Sequence, residues 1–326
     1  MGRAVAATAL ALFAVLLAAC GVADPTAAPS PTLTAAATVT ATATRTPAPT
    51  GEPTLEPTRS PTAPPTLEPS PTPLPTSTHT PAPSPTSAPP PTPDGTDRNA
   101  RVPILMYHRV IDLAADAGAA QRDYAVSPAQ FEEQLRYMRD QGYQSISLYD
   151  LNRSLQTGGA LPDKAVILTF DDGYRDNFVS AFPLLLKYGF TATFFINTQP
   201  IQDKYPAYMI WEQVEEMSRQ GMDIESHSHS HPRLDKLPVE DIVREVRVSK
   251  EAIEKHTSKT ARFFSYPYGH YDQQVVDILI SEGFWGAVTL RSGLVHGSRA
   301  MFDLSRVWVR YDDTLDSFAA KLERGR

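Results

Sequence analysis

From about residue 102 to the end of the chain, short apolar runs alternate with longer amphipathic ones, and the two periods predict different elements. Val102 to Tyr107 reads as a strand. Ser127-Pro128 then forms an N-cap with proline at the first helical position; Phe131, Leu135 and Met138 follow at helical spacing, and Gly142 closes the helix. Gln144 to Ser147 is predicted as a strand, Leu148 to Gln156 as a helix and Ala165 to Phe170 as a strand. Within the last, Val166-Ile167-Leu168 is the continuous apolar run typical of buried parallel strands. The spacing next predicts a helix over Asn177 to Tyr188 closed by Gly189, a strand over Thr191 to Ile196, and a helix over Trp211 to Gln220 capped by Gly221. Met222 to Ser226 is a strand, and Val239 to His256 a long helix with charges on one face. Arg262 to Ser265, Trp285 to Thr289 and Ser305 to Val309 complete the strands; Gln273 to Glu282 and Thr314 to Leu322 complete the helices. Repeated βα units of this length imply an α/β fold with a parallel sheet. A closed barrel and an open doubly wound sheet both satisfy the periodicity.

Nothing of this kind precedes residue 100. Met1-Gly2-Arg3 is a short basic start, Ala4 to Leu17 is apolar but short for a bilayer span, and Leu17-Ala18-Ala19-Cys20 follows. Residues 1–20 read as a secretory signal whose end resembles the bacterial lipobox, with Cys20 as the lipid-modified residue. Of the 30 prolines, nine lie beyond residue 100 and the rest fall between Pro25 and Asp97, among Thr, Ser and Ala. Such a composition cannot bury enough apolar surface to offset its ordering entropy, so residues 21–99 are expected to be a disordered stalk. Extended at ~3.1 Å per residue it reaches roughly 200 Å. Residues 100–326 are then one folded domain with a sizeable core. Cys20 is the single cysteine, so the exported domain is held by its core without disulfides. A net charge of −7 without a basic tract argues against nucleic acid or an anionic membrane surface as partner, and is compatible with a neutral glycan.

Two segments carry the candidate chemistry. Thr169-Phe170-Asp171-Asp172-Gly173 ends one predicted strand, and Ser226-His227-Ser228-His229-Ser230-His231-Pro232 ends another. Asp-Asp-Gly by itself is common turn chemistry, and a His-rich tract by itself is a common low-complexity feature. Together, at strand ends where α/β folds gather ligands, they supply one Asp and two His for a divalent ion, with a second Asp left as a base. That donor set leaves open positions for water and substrate, as a hydrolytic metal requires.

The two segments resemble the first two motifs of the polysaccharide deacetylases of carbohydrate esterase family 4, the NodB-homology domain. Tyr266-Pro267-Tyr268-Gly269 resembles its third motif, and Pro103-Ile104-Leu105-Met106-Tyr107-His108 resembles the opening strand of the subgroup acting on poly-N-acetylglucosamine. The resemblance covers roughly residues 101–311. It implies an irregular, seven-stranded (β/α) barrel. It also implies Asp172, His227 and His231 as metal ligands, with Zn2+ the default and Co2+, Ni2+ or Fe2+ compatible with the donors. Asp171 is then the base toward a water at the metal, and the Tyr268 backbone N–H an oxyanion donor. His229 lies two positions from each ligand and is read as structural. His108, Tyr266 and Pro267 are assigned to substrate. The family's Arg before the third motif is replaced by Ser265-Tyr266, with Arg262 three residues away. Its late His is not recognisable, and His296 is the nearest candidate for the general acid.

Together with the export signal, this resemblance implies an exported, lipid-anchored, monomeric, metal-dependent N-deacetylase facing outside the cytoplasm of a bacterial cell. Its implied substrate is an N-acetylglucosamine-containing exopolysaccharide or peptidoglycan. An O-acetyl esterase acting on xylan or another acetylated glycan is the alternative within hydrolases. A non-catalytic glycan-binding surface protein is the alternative outside them, and it has no use for a spare carboxylate beside a metal.

Overall fold

The computed structural model describes residues 91–325. Seven strands form its centre: β1 (Ile104–Tyr107), β2 (Ala165–Phe170), β3 (Thr193–Ile196), β4 (Asp223–Ser226), β5 (Phe263–Ser265), β6 (Gly286–Ser292) and β7 (Leu304–Trp308). Each pairs in parallel with its neighbours in sequence, and β7 pairs back onto β1 through Val307 opposite Leu105 and Trp308 opposite Met106. The ring is closed, so the expected seven-stranded α/β barrel is the observed fold. Closure removes the open sheet edges that a doubly wound sheet would leave.

Alternation along the strands divides the core. Leu105, Tyr107, Leu168, Phe170, Phe194 and Ile196 pack against Phe131, Leu135 and Met138 of helix α1 (Pro128–Asp140). The intervening positions, Ile104, Ile167, Phe195, Phe263, Val288 and Leu304, meet one another and Leu148, Leu151 and Leu155 of helix α2 (Leu148–Thr157). Both helices begin as the sequence indicates. Ser127 accepts from the Gln130 N–H at 3.1 Å, and Ser147 accepts from the Asp150 N–H at 3.0 Å.

Three expectations are adjusted. The strand at Gln144–Ser147 shrinks to Gln144–Ser145, which pairs with the first residues of β2 upstream of β3 and stays outside the ring. The helix expected from Asn177 becomes a π-turn, Asn177–Ala181, followed by an α-helix, Phe182–Tyr188. Pro183 has no N–H to donate, which is where the regular ladder breaks. The folded part also begins earlier than composition implied. The Asp94 N–H donates to Gln156 O at 3.2 Å, and Asn99–Arg101 pairs antiparallel with Val295–Gly297. The signal segment, Cys20 and the stalk up to residue 90 lie outside the described residues. Among the described residues no helix is long and apolar enough to cross a membrane.

Between β4 and β5 a single residue pair, Ser226 and Phe264, is in register. Glu225 bridges this seam. Its carboxylate accepts from the Arg262 and Phe263 N–H groups, both at 2.8 Å, and from the Tyr149 hydroxyl at 2.6 Å. Burial pushes this carboxyl up to about 8, against the pull of those donors.

Candidate active site and metal centre

The candidate residues converge on the carboxyl ends of the barrel strands, where parallel α/β folds place their chemistry. Asp171 and Asp172 follow β2, the His227–His231 loop follows β4, and Tyr266–Gly269 follows β5. They surround a cleft of about 550 Å³ whose wall includes His108, Asn197 and Tyr208.

Asp172, His227 and His231 come together in the cleft floor. The Asp172 Oδ1 lies 3.5 Å from His227 Nε2 and 3.6 Å from His231 Nε2, and the two imidazole nitrogens are 3.2 Å apart. A tetrahedral ion bonded at about 2.0–2.2 Å spaces its donors by roughly 3.3–3.6 Å, so the three atoms fit one ion's coordination sphere. His227 Nδ1 donates to Ser265 O at 2.7 Å, which fixes the ring and leaves Nε2 free to ligate. Burial lowers the His227 imidazole to about 3 and lowers that of His231 too, keeping both neutral. Burial conversely raises the Asp172 carboxyl, against the pull of the Asn197 hydrogen bond and the Arg306 charge.

The backbone at these positions is unusual. Six described non-glycine residues have left-handed φ, and four of them are Asp172, Ser228, His231 and Tyr268. Strained residues persist where the surroundings over-determine them, and here they cluster on the candidate ligands and the turn beside them. Two glycines allow the same turns. Gly173 (φ +80) lies against Ile196, and at Gly269 (φ +69) a Cβ would come within 2.6 Å of Leu290.

Asp171 is almost wholly buried and is gripped by Arg306 of β7. The guanidinium Nη1 donates to Oδ1 at 2.8 Å and Nη2 to Oδ2 at 2.7 Å, while the Ser265 hydroxyl donates to Oδ2 at 3.1 Å. Burial alone would push this carboxyl up, but the Arg306 charge and its two hydrogen bonds hold it well below the usual carboxylate range. Arg262 does not reach Asp171. Its guanidinium donates to Gly283 O and lies over the Trp285 ring.

The remaining sequence candidates separate. His229 turns from the ligand group, its Nδ1 paired with the Thr198 hydroxyl at 2.9 Å. His108 is buried on the cleft wall with Nδ1 unpartnered, its ring edge-on to Tyr124. Burial lowers this imidazole, while Asp171 and Asp172 pull it back up. Tyr266 contributes to the wall but is buried, its hydroxyl donating to Phe302 O at 3.0 Å. Pro267 is buried and starts the turn rather than facing the cleft. Tyr268 is exposed on the rim, its ring 4.5 Å from that of His231.

His296 must be reassigned. It lies in the Val295–Gly297 strand, its Nε2 paired with Val102 O at 2.9 Å, at the opposite end of β1 from the cleft. Val102 to His108 is six residues, about 20 Å at ~3.3 Å per extended residue, so His296 cannot serve as the acid.

Three residues at this site went unread in the sequence. Arg306 could have been suspected as the one charged residue within a late strand. Glu245 accepts from the His229 and Ser230 N–H groups at 3.0 and 2.7 Å and from the Ser230 hydroxyl at 2.6 Å, clamping the ligand loop. Asn197 donates to Asp172 Oδ1 at 3.4 Å.

The family model for polysaccharide deacetylases matches residues 158–285. The chain is 31% identical over 228 residues to YxkH of Bacillus subtilis (strain 168), named for the polysaccharide deacetylases, covering 70% of this chain and 78% of YxkH. It is 26% identical to the poly-beta-1,6-N-acetyl-D-glucosamine N-deacetylase of Escherichia coli (strain K12), over 67% of this chain but 38% of that protein. Among solved structures, the Streptococcus pyogenes deacetylase PplD in complex with acetate superposes with a TM-score of 0.64 at 26% identity, covering 69% of this chain and 99% of PplD. IcaB from Ammonifex degensii gives 0.59 at 27% identity, covering 68% and 96%.

Proposed function

Since the chain belongs to the polysaccharide deacetylase family, we propose that it removes N-acetyl groups from an N-acetylglucosamine-containing polysaccharide, using a divalent ion held by Asp172, His227 and His231. The observation that carries this reading is the three-donor cluster beside a buried, arginine-tethered Asp171. Zn2+ is the first choice, and Co2+, Ni2+ and Fe2+ suit the same nitrogen and oxygen donors. When bound, the ion supplies Lewis acidity toward a water and toward the acyl oxygen.

The chain's own residues divide the remaining work. Asp171, kept ionised by Arg306, takes a proton from the attacking water as its oxygen adds to the acetamide carbonyl carbon. The Tyr268 N–H, on the strained turn at the cleft rim, donates to the oxygen that gains charge. His108, whose ring lines the cleft, gives a proton to the departing amine as the carbon–nitrogen bond breaks. Acetate and a free glucosamine amine are the products.

The name of the Escherichia coli relative supports poly-N-acetylglucosamine as the polymer class. Location belongs to the same proposal. The apolar start ending at the single Cys20, and the proline-rich stretch after it, suit export, lipid anchoring and a spacer holding a monomeric enzyme outside the cytoplasm.

The test is acetate release from β-1,6-linked N-acetylglucosamine oligomers, chitooligosaccharides, peptidoglycan and acetylated xylan, with and without a chelator. Chelator-sensitive release from an N-acetylglucosamine polymer is expected. Release confined to acetylated xylan would convert the reading to an O-acetyl esterase, and release from none would leave a glycan-binding protein.

A further inference from the structure

We infer that Tyr174, Tyr208 and Tyr205 form an outward-leading aromatic subsite for a sugar neighbouring the one deacetylated, so that the enzyme selects polymer over short oligomers. This rests on the N-deacetylase reading of the adjacent site. Tyr174, three residues after Asp171, and Tyr208 both line the cleft. Their rings stack at 5.0 Å and 26°, and Tyr205 continues the row at 6.5 Å from Tyr208, in an edge contact. Tyr205 is 52% exposed, so the row runs from the cleft into solvent.

An exposed tyrosine is ordinarily unremarkable, but this one is held. Lys204 adopts left-handed φ +57 to turn the chain after the short helix Thr198–Gln202. The Tyr205 N–H donates to Pro200 O, and the Tyr208 N–H to Tyr205 O, both at 2.9 Å. The segment is also tied to the loop bearing the aspartates. The Arg175 N–H donates to Ala207 O at 2.8 Å, and the Met209 N–H to Gly173 O at 3.0 Å. Tyr205 is thus fixed relative to the candidate metal ligands while much of its ring faces water. Such preorganisation lowers the ordering cost of binding.

The chemistry of the row fits a neutral pyranose. Its C–H face packs on a flat aromatic ring such as the half-exposed Tyr205, a contact that does not need the phenolic hydroxyl. Arg109 lies 4.5 Å from the Tyr174 ring centre but is paired with Asp176 at 2.8 Å, so the inner end of the row offers no free cation for an anionic ligand.

The test compares kcat/KM for β-1,6-linked N-acetylglucosamine dimer and tetramer, using the zinc-loaded full chain. The tetramer-to-dimer ratio should be about ten or more in the wild type and fall about tenfold, toward one, in Tyr205→Ala, the scale of ~1.4 kcal/mol. Tyr205→Phe should keep the wild-type ratio, as should Leu186→Ala, a change at another exposed apolar residue. A ratio unchanged in Tyr205→Ala, or an equal loss on both lengths, overturns the subsite. A wild type inert toward every length overturns the N-deacetylase reading itself, and the subsite with it.

Discussion

Arg306 and Asp171, 135 residues apart in the sequence, meet as a two-pronged ion pair across the inside of the barrel mouth. Both side chains are almost fully buried, at 1% and 2% exposure, so the pair is shielded from solvent and salt. Arg306 is itself aimed. Its Nε donates to Thr289 O at 3.0 Å, and Nη1 also reaches the Thr169 hydroxyl at 3.2 Å. The fork geometry holds the carboxylate in one orientation and keeps it ionised, which a single ammonium does less well.

The first prediction follows from that pair. Arg306→Lys keeps the charge but loses the fork, so the Asp171 carboxyl should rise from its depressed value. A base must be deprotonated to act, so the acidic limb of kcat/KM should move to higher pH, with at least ~10-fold loss at neutrality. Arg306→Met leaves a buried carboxylate unpaired and should destabilise the fold by about 3–5 kcal/mol. A depressed carboxyl contributes stability above the ordinary carboxylate range and loses it on acidification, so that destabilisation should shrink toward low pH. A pH–rate profile for the lysine variant and thermal unfolding against pH for the methionine variant check the two halves. An unmoved acidic limb would sink the assignment of Asp171 as the base.

What the sequence disclosed, and what it hid, divides along the same line. The Asp pair and the His tract were legible because each is a contiguous segment at the end of a strand whose apolar pattern is plain. The barrel's βα alternation was legible for the same reason, although closure came from family resemblance and not from periodicity. Arg306 and Glu245 were hidden because their roles depend on which way a side chain faces once distant elements meet. Arg306 looked like one polar position in a late strand, and Glu245 like one charge among many on a helix face. His296 misled because its glycine-flanked segment reads as an exposed loop, whereas pairing with Asn99–Arg101 turns it into an edge strand that buries the His296 ring. Nothing in local sequence signals that partner.

The two aspartates should separate in a metal assay. Asp172→Ala strips the donor set to two imidazoles, so tight metal binding and activity should fall together. Asp171→Asn leaves all three donors and should retain one metal per chain while losing at least ~10²-fold in rate. Equal metal loss in both variants would reverse the assignment.

The histidine loop should show a graded response. His227→Ala and His231→Ala are each expected to abolish tight binding. His229→Ala, which removes a contact with Thr198, should change affinity and turnover by no more than a few-fold. Glu245→Ala lies between these limits. It releases the N–H groups of residues 229 and 230 without touching a donor atom, so a loss of about 10–100-fold in metal affinity is expected. Competition with a metal-sensitive dye ranks the four variants. A His229→Ala variant as damaged as His231→Ala would mean that the tract ligates through all three rings.

His108 and His296 make an informative contrast. An acid must be protonated to act, so the basic limb of the rate profile should report His108. Burial places that limb lower in pH, and the neighbouring aspartates raise it again. His108→Ala should remove the limb and cost about 10²-fold in rate with metal content intact. His296→Ala should lower the melting temperature and leave the turnover of the folded fraction alone, because its ring is tied to Val102 away from the cleft. A basic limb that survives in His108→Ala would assign the proton to water or to another group.

Anchoring is tested at a residue far from all of this. Cys20→Ser should shift the protein from the detergent-soluble membrane fraction to the soluble exported fraction. Turnover on soluble oligomers should stay the same, since Cys20 precedes the barrel by roughly seventy residues of proline-rich sequence. One acyl chain binds a membrane only marginally, with an association constant of about 10⁴ M⁻¹, so stable retention in the wild type implies more than one chain on that cysteine. Deleting residues 25–90 while keeping Cys20 separates reach from attachment. The shortened protein should hydrolyse oligomers normally but act less on intact cell-surface polymer, because the reach proposed for that segment is lost. If it modifies native polymer as fully as the complete chain does, the stalk is not the spacer proposed for it.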